Sequence, residues 1–393
     1  MKIKVRMYVT ILSMTMFFLS LLLLLQMYIT KDYPIAGNTT DQEMIAHRNP
    51  QKTLTSNAKT LPPTKATLVG VGDILIHGIV YKDAQTGENS YDFKPLLAPV
   101  KPYIERADIS FANQETMIGG VEIGLSTYPS FNSPTEVGDA IKDVGIDIVS
   151  MANNHTLDRG ERAIKNAIQH WNKIGMLYTG SYLNEEDKKT IRTFKTNGIT
   201  FSFLAYTYGT NGIPIPKGKD YLVNLINIES MIKDIEEARS ISDAVVVSVH
   251  FGNEYQRMPN DNQKAIVKEL ANAGANIILG HHPHVLQPTE WVERDDGQKT
   301  FVIYSLGNFL SGQKGIYKEI GGILQLDVEK TVTGSGVNIE IKNPSFLPTT
   351  VKGTAASKYT VLPLKSVYNT DSSTYKDIYG HMTKLMPDLR IIE

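Results

Sequence analysis

The chain contains no cysteine in its 393 residues. That excludes disulfides, thiolate metal sites and a cysteine nucleophile, so any metal must sit on His, Asp, Glu or Asn. Nor does charge of either sign dominate: 40 Lys and Arg residues face 41 Asp and Glu, a formal net charge of −1. With no run of Lys and Arg there is no electrostatic stripe for a phosphodiester backbone, and nucleic acid is not expected as a partner. There is no low-complexity tract and no internal repeat. With 21% charged residues, the composition is that of one large globular domain with extensions. Gly70-Val71-Gly72 opens like a dinucleotide fingerprint, but Leu75 stands where its third glycine belongs, which excludes that cofactor site.

What is present begins with a membrane signal. Lys2, Lys4 and Arg6 precede an uncharged stretch, Met7 to Ile29, rich in Leu, Met and Phe. At about 1.5 Å per residue this stretch spans a hydrocarbon core roughly 30 Å thick. A cleaved signal peptide is the alternative, but its apolar region runs about 7–15 residues and ends in small residues. Gln26-Met27-Tyr28-Ile29 is a poor site for such a cut. Residues 1–30 are therefore expected to be a cytoplasmic stub and an uncleaved, single-pass transmembrane helix, with the main domain facing outward from the cell membrane. Residues 31–65 are polar, carry Asn38-Thr39-Thr40 and Leu61-Pro62-Pro63, and read as a flexible linker. The main domain is expected over 66–330, with a thinner, Thr- and Ser-rich C-terminal extension over 331–393.

From Ala66 onward short apolar runs alternate with longer amphipathic stretches, which is the α/β signature. Strands are expected at Thr67–Val71, Ile109–Ala112, Ile146–Ala152, Phe201–Tyr206, Ala244–Val249, Asn276–Leu279, Phe301–Ser305 and Ile323–Val328. Helices are expected at Glu136–Val144, Arg159–Ile174, Ile228–Arg239 and Asn262–Ala273, the last stopped by Gly274.

The chemistry collects where polar residues follow these strands. Gly72-Asp73, Asn113-Gln114-Glu115, Asn153-Asn154-His155, His250 and Gly280-His281-His282-Pro283-His284 each close an apolar run. In open α/β sheets ligands bind beyond the carboxyl ends of strands, so residues distant in sequence can converge there. Neutral imidazoles, a carboxylate able to bridge and an amide oxygen suit one or two divalent ions, Mn, Fe or Zn. Such ions support hydrolysis. Taken singly each residue has a plainer reading: Asp73 as a turn or cap, Asn154-His155 as a strand-ending turn with Asp158 capping the next helix. The His282-x-His284 spacing is stronger, because alternate residues of an extended segment point the same way.

Together these motifs, with His250-Phe251-Gly252-Asn253-Glu254-Tyr255 and Tyr304-Ser305-Leu306-Gly307-Asn308-Phe309, resemble the bacterial CapA (PgsA) capsule and poly-gamma-glutamate biosynthesis proteins, from about Ala66 to Leu326. The resemblance implies a calcineurin-like metallophosphatase fold, a two-sheet β-sandwich flanked by helices. It further implies that Asp73 and His284 serve one metal, that Asn154, His250 and His282 serve the other, and that Glu115 bridges them. His155 is then the general acid or an electrostatic stabiliser. The pattern departs from that superfamily in two places. The His after Asp73 is His77, four residues on rather than two, and Asn113-Gln114-Glu115 replaces the usual bridging Asp motif. His281 stays outside the implied ligand set.

The remaining histidines have plain readings: His170 with Trp171 in a helix, His47 in the linker, His381 in the C-terminal segment. The aromatic, turn-rich stretches Ser126–Pro134 and Tyr206–Pro214 are either substrate-groove walls or simple loops. Three functions stay open. One is assembly or export of an anionic surface polymer beside membrane-bound synthase components. The second is a metal-dependent hydrolase acting on a phosphoester, an amide or a polymer end, and the third is a binding module that keeps metal for structure.

Overall fold

The computed structural model describes residues 62–334, 336–354 and 357–393. The expected transmembrane helix, and the expected linker as far as residue 61, lie outside the described residues. Among the described residues no helix is long and apolar enough to cross a membrane.

The chain builds half of one sheet, then a second sheet, then returns to finish the first. The opening strands are β1 (Thr64–Leu75), a two-strand ribbon of β2 (Gln85–Gly87) and β3 (Ser90–Tyr91), then β4 (Ile109–Gln114), β5 (Ile148–Ser150) and β6 (Leu177–Thr179). The second sheet takes β7 (Arg192–Thr196), β8 (Ile199–Thr207), β9 (Ala244–His250), β10 (Ile277–His281), β11 (Leu286–Glu293) and β12 (Lys299–Leu306). The return comprises β13 (Asn308–Ser311), β14 (Ile320–Thr333), β15 (Gly336–Thr354), β16 (Ser357–Pro363) and β17 (Arg390–Ile391). The first sheet runs β16-β15-β14-β1-β4-β5-β6 and the second β11-β12-β10-β9-β8-β7, both mixing parallel and antiparallel pairs.

Period-two alternation in buried strands explains how the layers stack. Leu68, Phe111, Phe201, Phe203, Val246, Leu279 and Ile303 share one core between the sheets, where Phe111 and Phe203 stack at 6.0 Å. Their neighbours Val69, Ala112 and Val149 face outward to a second core. That core is closed by α1 (Glu136–Asp143) and α2 (Gly160–Lys173), which supply Val137, Ile164, Ala167 and Trp171. Val245, Val247, Ile278 and Val302 face the opposite way, under α3 (Ile228–Ile241) and α4 (Asp261–Ala273). The result is an α/β arrangement of two mixed sheets with helices on both outer faces. α4 carries a full capping box, Asn260 with Gln263, and ends on Gly274 at φ 107°.

Nine of the seventeen strands among the described residues were not expected from the pattern, among them both edges of the second sheet, β11 and β7. β11 contains Gln287, Pro288 and Thr289, which argue against an interior strand. It lies at the edge of the second sheet, where proline is tolerated. β7 is the opposite edge. Residues 331–393 carry much of the first sheet's far side: β15 pairs with β14 along nearly its whole length. α5 (Ser373–Met382) sends Tyr375, Ile378 and Met382 into the core between the sheets.

Candidate metal centre

The site forms where the two sheets' strand ends meet. Asp73 does not follow β1, as expected, but sits inside it at an irregularity. β1 pairs with β14 as far as Val71, skips Gly72 in its register with β4, and pairs with β13 from Asp73 on. Such a bulge re-aims a side chain. Glycine is required there, since a Cβ on Gly72 would stand 1.9 Å from the Gly307 carbonyl oxygen. His250 and His281 end β9 and β10 in register with each other.

The His282–His284 turn converges for a reason other than the expected one. The segment is not extended: His282 and His284 have φ of 98° and 58°, in the left-handed region that non-glycine residues seldom adopt. The two rings lie 5.9 Å apart, and His282 lies 4.9 Å from His250. Tyr255 N–H ties the turn down by donating to the Pro283 carbonyl at 2.8 Å.

All six expected ligands come together, and all are buried. Glu115 Oε1 lies 3.6 Å from His250 Nε2 and 3.7 Å from His284 Nε2, between the two groups of residues. Asn154 Oδ1 lies 2.9 Å from His250 Nε2. Asp73 Oδ2 lies 3.4 Å from His284 Nδ1, and its Oδ1 accepts from Asn113 Nδ2 at 2.8 Å. Glu115, His282 and His284 offer donor atoms all within 4.8 Å of one another.

These residues fit divalent ions. Both carboxylate oxygens of the fully buried Glu115 have no hydrogen-bond partner, and neither has His282 Nδ1. A buried carboxylate without partners is costly unless a cation answers it. Its separations from the histidines are too long for hydrogen bonds. They match two ligands on one ion at bond lengths of about 2.0–2.2 Å.

Three residues support the centre, and of these Asn113 and Asn308 were not singled out individually from sequence. Asn308 Oδ1 lies 3.1 Å from His284 Nδ1 and so turns Nε2 toward Glu115. Asn113 holds Asp73 and also touches His250 Nδ1 at 3.3 Å. His281, outside the implied ligand set, lies with Nδ1 3.2 Å from Asp73 Oδ1. The only sequence signal for Asn113 and Asn308 was membership in the motifs that close β4 and β12.

His155 stands beside this cluster with Nδ1 2.7 Å from Asp158 Oδ2. Asp158 also accepts the Phe131 N–H at 2.7 Å. Arg159, not Asp158, stands at the start of α2, and it makes no side-chain cap, so Asp158 orients His155 instead of capping that helix. His77, offset from the family's spacing, has Nδ1 3.1 Å from the Leu75 carbonyl and accepts the Gly312 N–H at 3.2 Å. His170 pairs with Asp139 at 2.9 Å, and His381 reaches the Leu286 carbonyl at 2.9 Å. His47 lies outside the described residues.

Burial, helped by neighbouring His284, pushes His282 down to about 3. Burial and then His282 push His250 well below the usual imidazole range. Both stand as neutral imidazoles near neutral pH, the form that binds metal. Burial opposes charge on His284 too, but Glu115 and Asp73 outweigh it and lift the group to about 9. Burial raises Glu115 well above the carboxylate range. It would raise Asp73 as well, but hydrogen bonds to His281 and His284 hold that carboxyl well below its ordinary value.

These shifts set a pH dependence for the protein stripped of metal. His282, His250 and His77, the last lowered to about 4 chiefly by burial, resist protonation when folded. They destabilise the fold as pH drops below the unfolded value of about 6.5, opposed by the carboxyls that burial raises, Glu115 and Asp147. His284 works in reverse: its contribution is complete below about pH 6.5 and is lost as pH climbs through about 9, and Glu115 adds to that loss. Stability in chelator is expected to peak near pH 6.5, read as the urea midpoint across the range. A midpoint rising steadily into alkali would contradict this assignment.

Comparison with known proteins agrees with the motifs. The profile of the family described as "Bacterial capsule synthesis protein PGA_cap" matches residues 67–313. The chain is 30% identical over 322 residues to the PGA biosynthesis protein CapA of Bacillus subtilis (strain 168), covering 79% of this chain and 80% of that protein. It is 30% identical over 259 residues to the capsule biosynthesis protein CapA of Bacillus anthracis, covering 63% of this chain and 60% of that one. Solved structures similar to it include Haemophilus influenzae NAD nucleotidase, with TM-score 0.42, 9% identity, and 84% and 57% of the two chains covered. A putative 5'-nucleotidase from Staphylococcus aureus gives TM-score 0.43, 15% identity, and 80% and 58% covered. At such scores the likeness does not reach function.

Proposed function

The chain belongs to the bacterial capsule synthesis protein family, PGA_cap, and we propose that it serves in making or exporting an anionic surface polymer, capsule or poly-gamma-glutamate, as a metal-dependent phosphoester hydrolase. On this reading the two-sheet sandwich is of the calcineurin-like metallophosphatase kind. The domain is held outside the cell by the N-terminal apolar segment, Met7 to Ile29, beside membrane-bound synthase components. The observation that carries the metal-dependent chemistry is Glu115, buried, unpartnered and set between His250 and His284.

Asp73 and His284 would hold one divalent ion, and Asn154, His250 and His282 the other, with Glu115 shared. When bound, such ions polarise a phosphoryl oxygen and supply hydroxide near neutral pH. The protein's own part is to keep His250 and His282 neutral, to aim His250 through Asn113 and His284 through Asn308, and to present His155 as the proton donor. With His155 Nδ1 committed to Asp158, Nε2 is the nitrogen left to pass a proton to a leaving oxygen.

One genetic experiment tests both halves. Deleting the gene is expected to strip the surface polymer, and the wild-type allele to restore it. An Asp158→Asn allele should lower turnover of the purified protein by roughly 10²–10⁴ with metal content unchanged, and should fail to restore the polymer. Unchanged polymer in the deletion strain would sink the polymer role. Full rescue by an inactive Asp158→Asn protein would leave the role but remove hydrolysis from it.

A further inference from the structure

Three exposed tyrosines converge on the opening above the metal centre. Tyr208, which follows β8, is 49% exposed. Its ring lies 4.6 Å from His282 and parallel to His250 at 6.4 Å. Tyr255, which follows β9, is 48% exposed and lies 6.2 Å from His284. Tyr128, in the loop after β4, is 73% exposed and sits edge-on to Phe131 at 6.4 Å. Phe131 is in turn edge-on to His155 at 4.7 Å. Tyr128 and Tyr255 are near enough to act on each other electrostatically.

Single apolar residues scattered over a surface are ordinary, but three large rings around one polar opening are not scatter. The backbone gives an independent sign. Tyr255 has φ 65°, a left-handed conformation that a bulky side chain keeps only where surrounding structure enforces it, and such strain clusters at ligand clamps. What enforces it here is the hydrogen bond to Pro283, inside the turn that carries His282 and His284. The Tyr255 ring is also flanked by the Lys318 ammonium at 4.9 Å, and its hydroxyl accepts from Gln313 Nε2 at 3.4 Å. The ring is therefore placed rather than free.

We propose that Tyr128, Tyr208 and Tyr255 form a stacking rim that grips a ring, sugar or nucleobase, on the phosphoester whose phosphate lies among the metal ligands. The inference rests on the metal-centre reading above and deepens it by giving the substrate a ring-bearing arm. A flat or chair-shaped ring offers the apolar face that tyrosine stacks against. A linear chain of γ-linked carboxylates offers no such face, and Glu254, adjacent to Tyr255, acts on both Tyr255 and Tyr208 as a negative charge. The substrate class is accordingly a sugar phosphate or nucleotide unit, as an activated or lipid-linked precursor would carry, and not the finished polyglutamate.

Calorimetric titration of the full-length, detergent-solubilised, manganese-loaded protein tests this. The ligands are inorganic phosphate, non-hydrolysable phosphonate analogues of glycerol phosphate, glucose phosphate and adenosine monophosphate, and a γ-linked glutamate oligomer. One ring-bearing analogue is expected to bind at least about tenfold tighter than the glycerol analogue, as loss or gain of a stacked ring implies. Which of the two wins distinguishes sugar from base. Tyr128→Ala and Tyr255→Ala should each erase most of that advantage, Tyr255→Phe should keep it, and phosphate affinity should stay unchanged in all three. Equal affinity for ring-bearing and glycerol analogues, or tighter binding of the glutamate oligomer, would overturn the rim while phosphate binding still upheld the metal centre. Failure of phosphate itself to bind would remove the metal-centre reading and the rim with it.

Discussion

Glu115→Gln is expected to lower metal-dependent phosphoester hydrolysis by roughly 10³-fold or more. A metal that stabilises developing charge contributes several kcal/mol, and about 4 kcal/mol corresponds to three powers of ten in rate. Glu115 Oε1 lies 3.6 Å from His250 Nε2 and 3.7 Å from His284 Nε2, so its loss touches both halves of the centre. Stability separates this from simple misfolding. Added manganese at about a hundredfold excess over Kd should stabilise the wild type by about 2.7 kcal/mol per site. The same addition should do far less for Glu115→Gln, although that variant still folds, because its amide occupies the same volume without demanding a cation. An equal metal-induced shift in the variant and the wild type would place the ion elsewhere.

Gly280→Ala should lose the centre without touching a ligand. A Cβ on Gly280 would stand 2.0 Å from the Tyr304 carbonyl oxygen and 2.9 Å from that of Ile303. These are backbone atoms of β12, which pairs with β10 just before this point, from Ile277 opposite Phe301 to Leu279 opposite Ile303. No side chain can swing aside, so the strands must separate where His281 and His282 leave the sheet. Overpacking of a core ordinarily costs about 1–3 kcal/mol, and a backbone collision belongs at or beyond the top of that range. Gly70→Ala is the control: its Cβ would meet only the Leu279 and Leu306 side chains, at 3.5 Å and beyond, and should cost under about 1 kcal/mol. Chemical denaturation and metal titration of the pair check the contrast. Equal stability and equal metal uptake in the two variants would mean the strand crossing does not position the site.

That contrast also shows where the sequence speaks and where it is silent. The near-continuous apolar runs Phe201–Tyr206 and Ala244–Val249 mark strands buried on both faces, and the sheets and layers follow from them. The metal-ligand types following β4, β9 and β10 were legible because strand ends collect ligands. His282 and His284 were expected to point alike from an extended segment, whereas they sit in a left-handed turn, and such a turn at a Pro-containing corner leaves no periodic trace. Asp73 likewise needed the bulge at Gly72, which only the strand register reveals. Asn113 and Asn308 were hard to single out because an amide becomes informative only beside the imidazole it aims. The edge strand holding Pro288 was hidden because proline in a strand is decided by its place in the sheet. The aromatic stretches holding Tyr128 and Tyr208 were legible as groove walls or simple loops, but not which of their rings face the opening, because an exposed aromatic and a core aromatic are the same letter until burial is known.

The most direct test of the central claim is the metal content of the purified full-length protein, by elemental analysis, against Glu115→Gln prepared in parallel. Close to two divalent ions per wild-type chain is predicted, as a two-metal mechanism requires, with that content falling by at least one ion in the variant. A folded wild-type protein that carries no divalent ion and takes up none from manganese, iron or zinc would contradict the account.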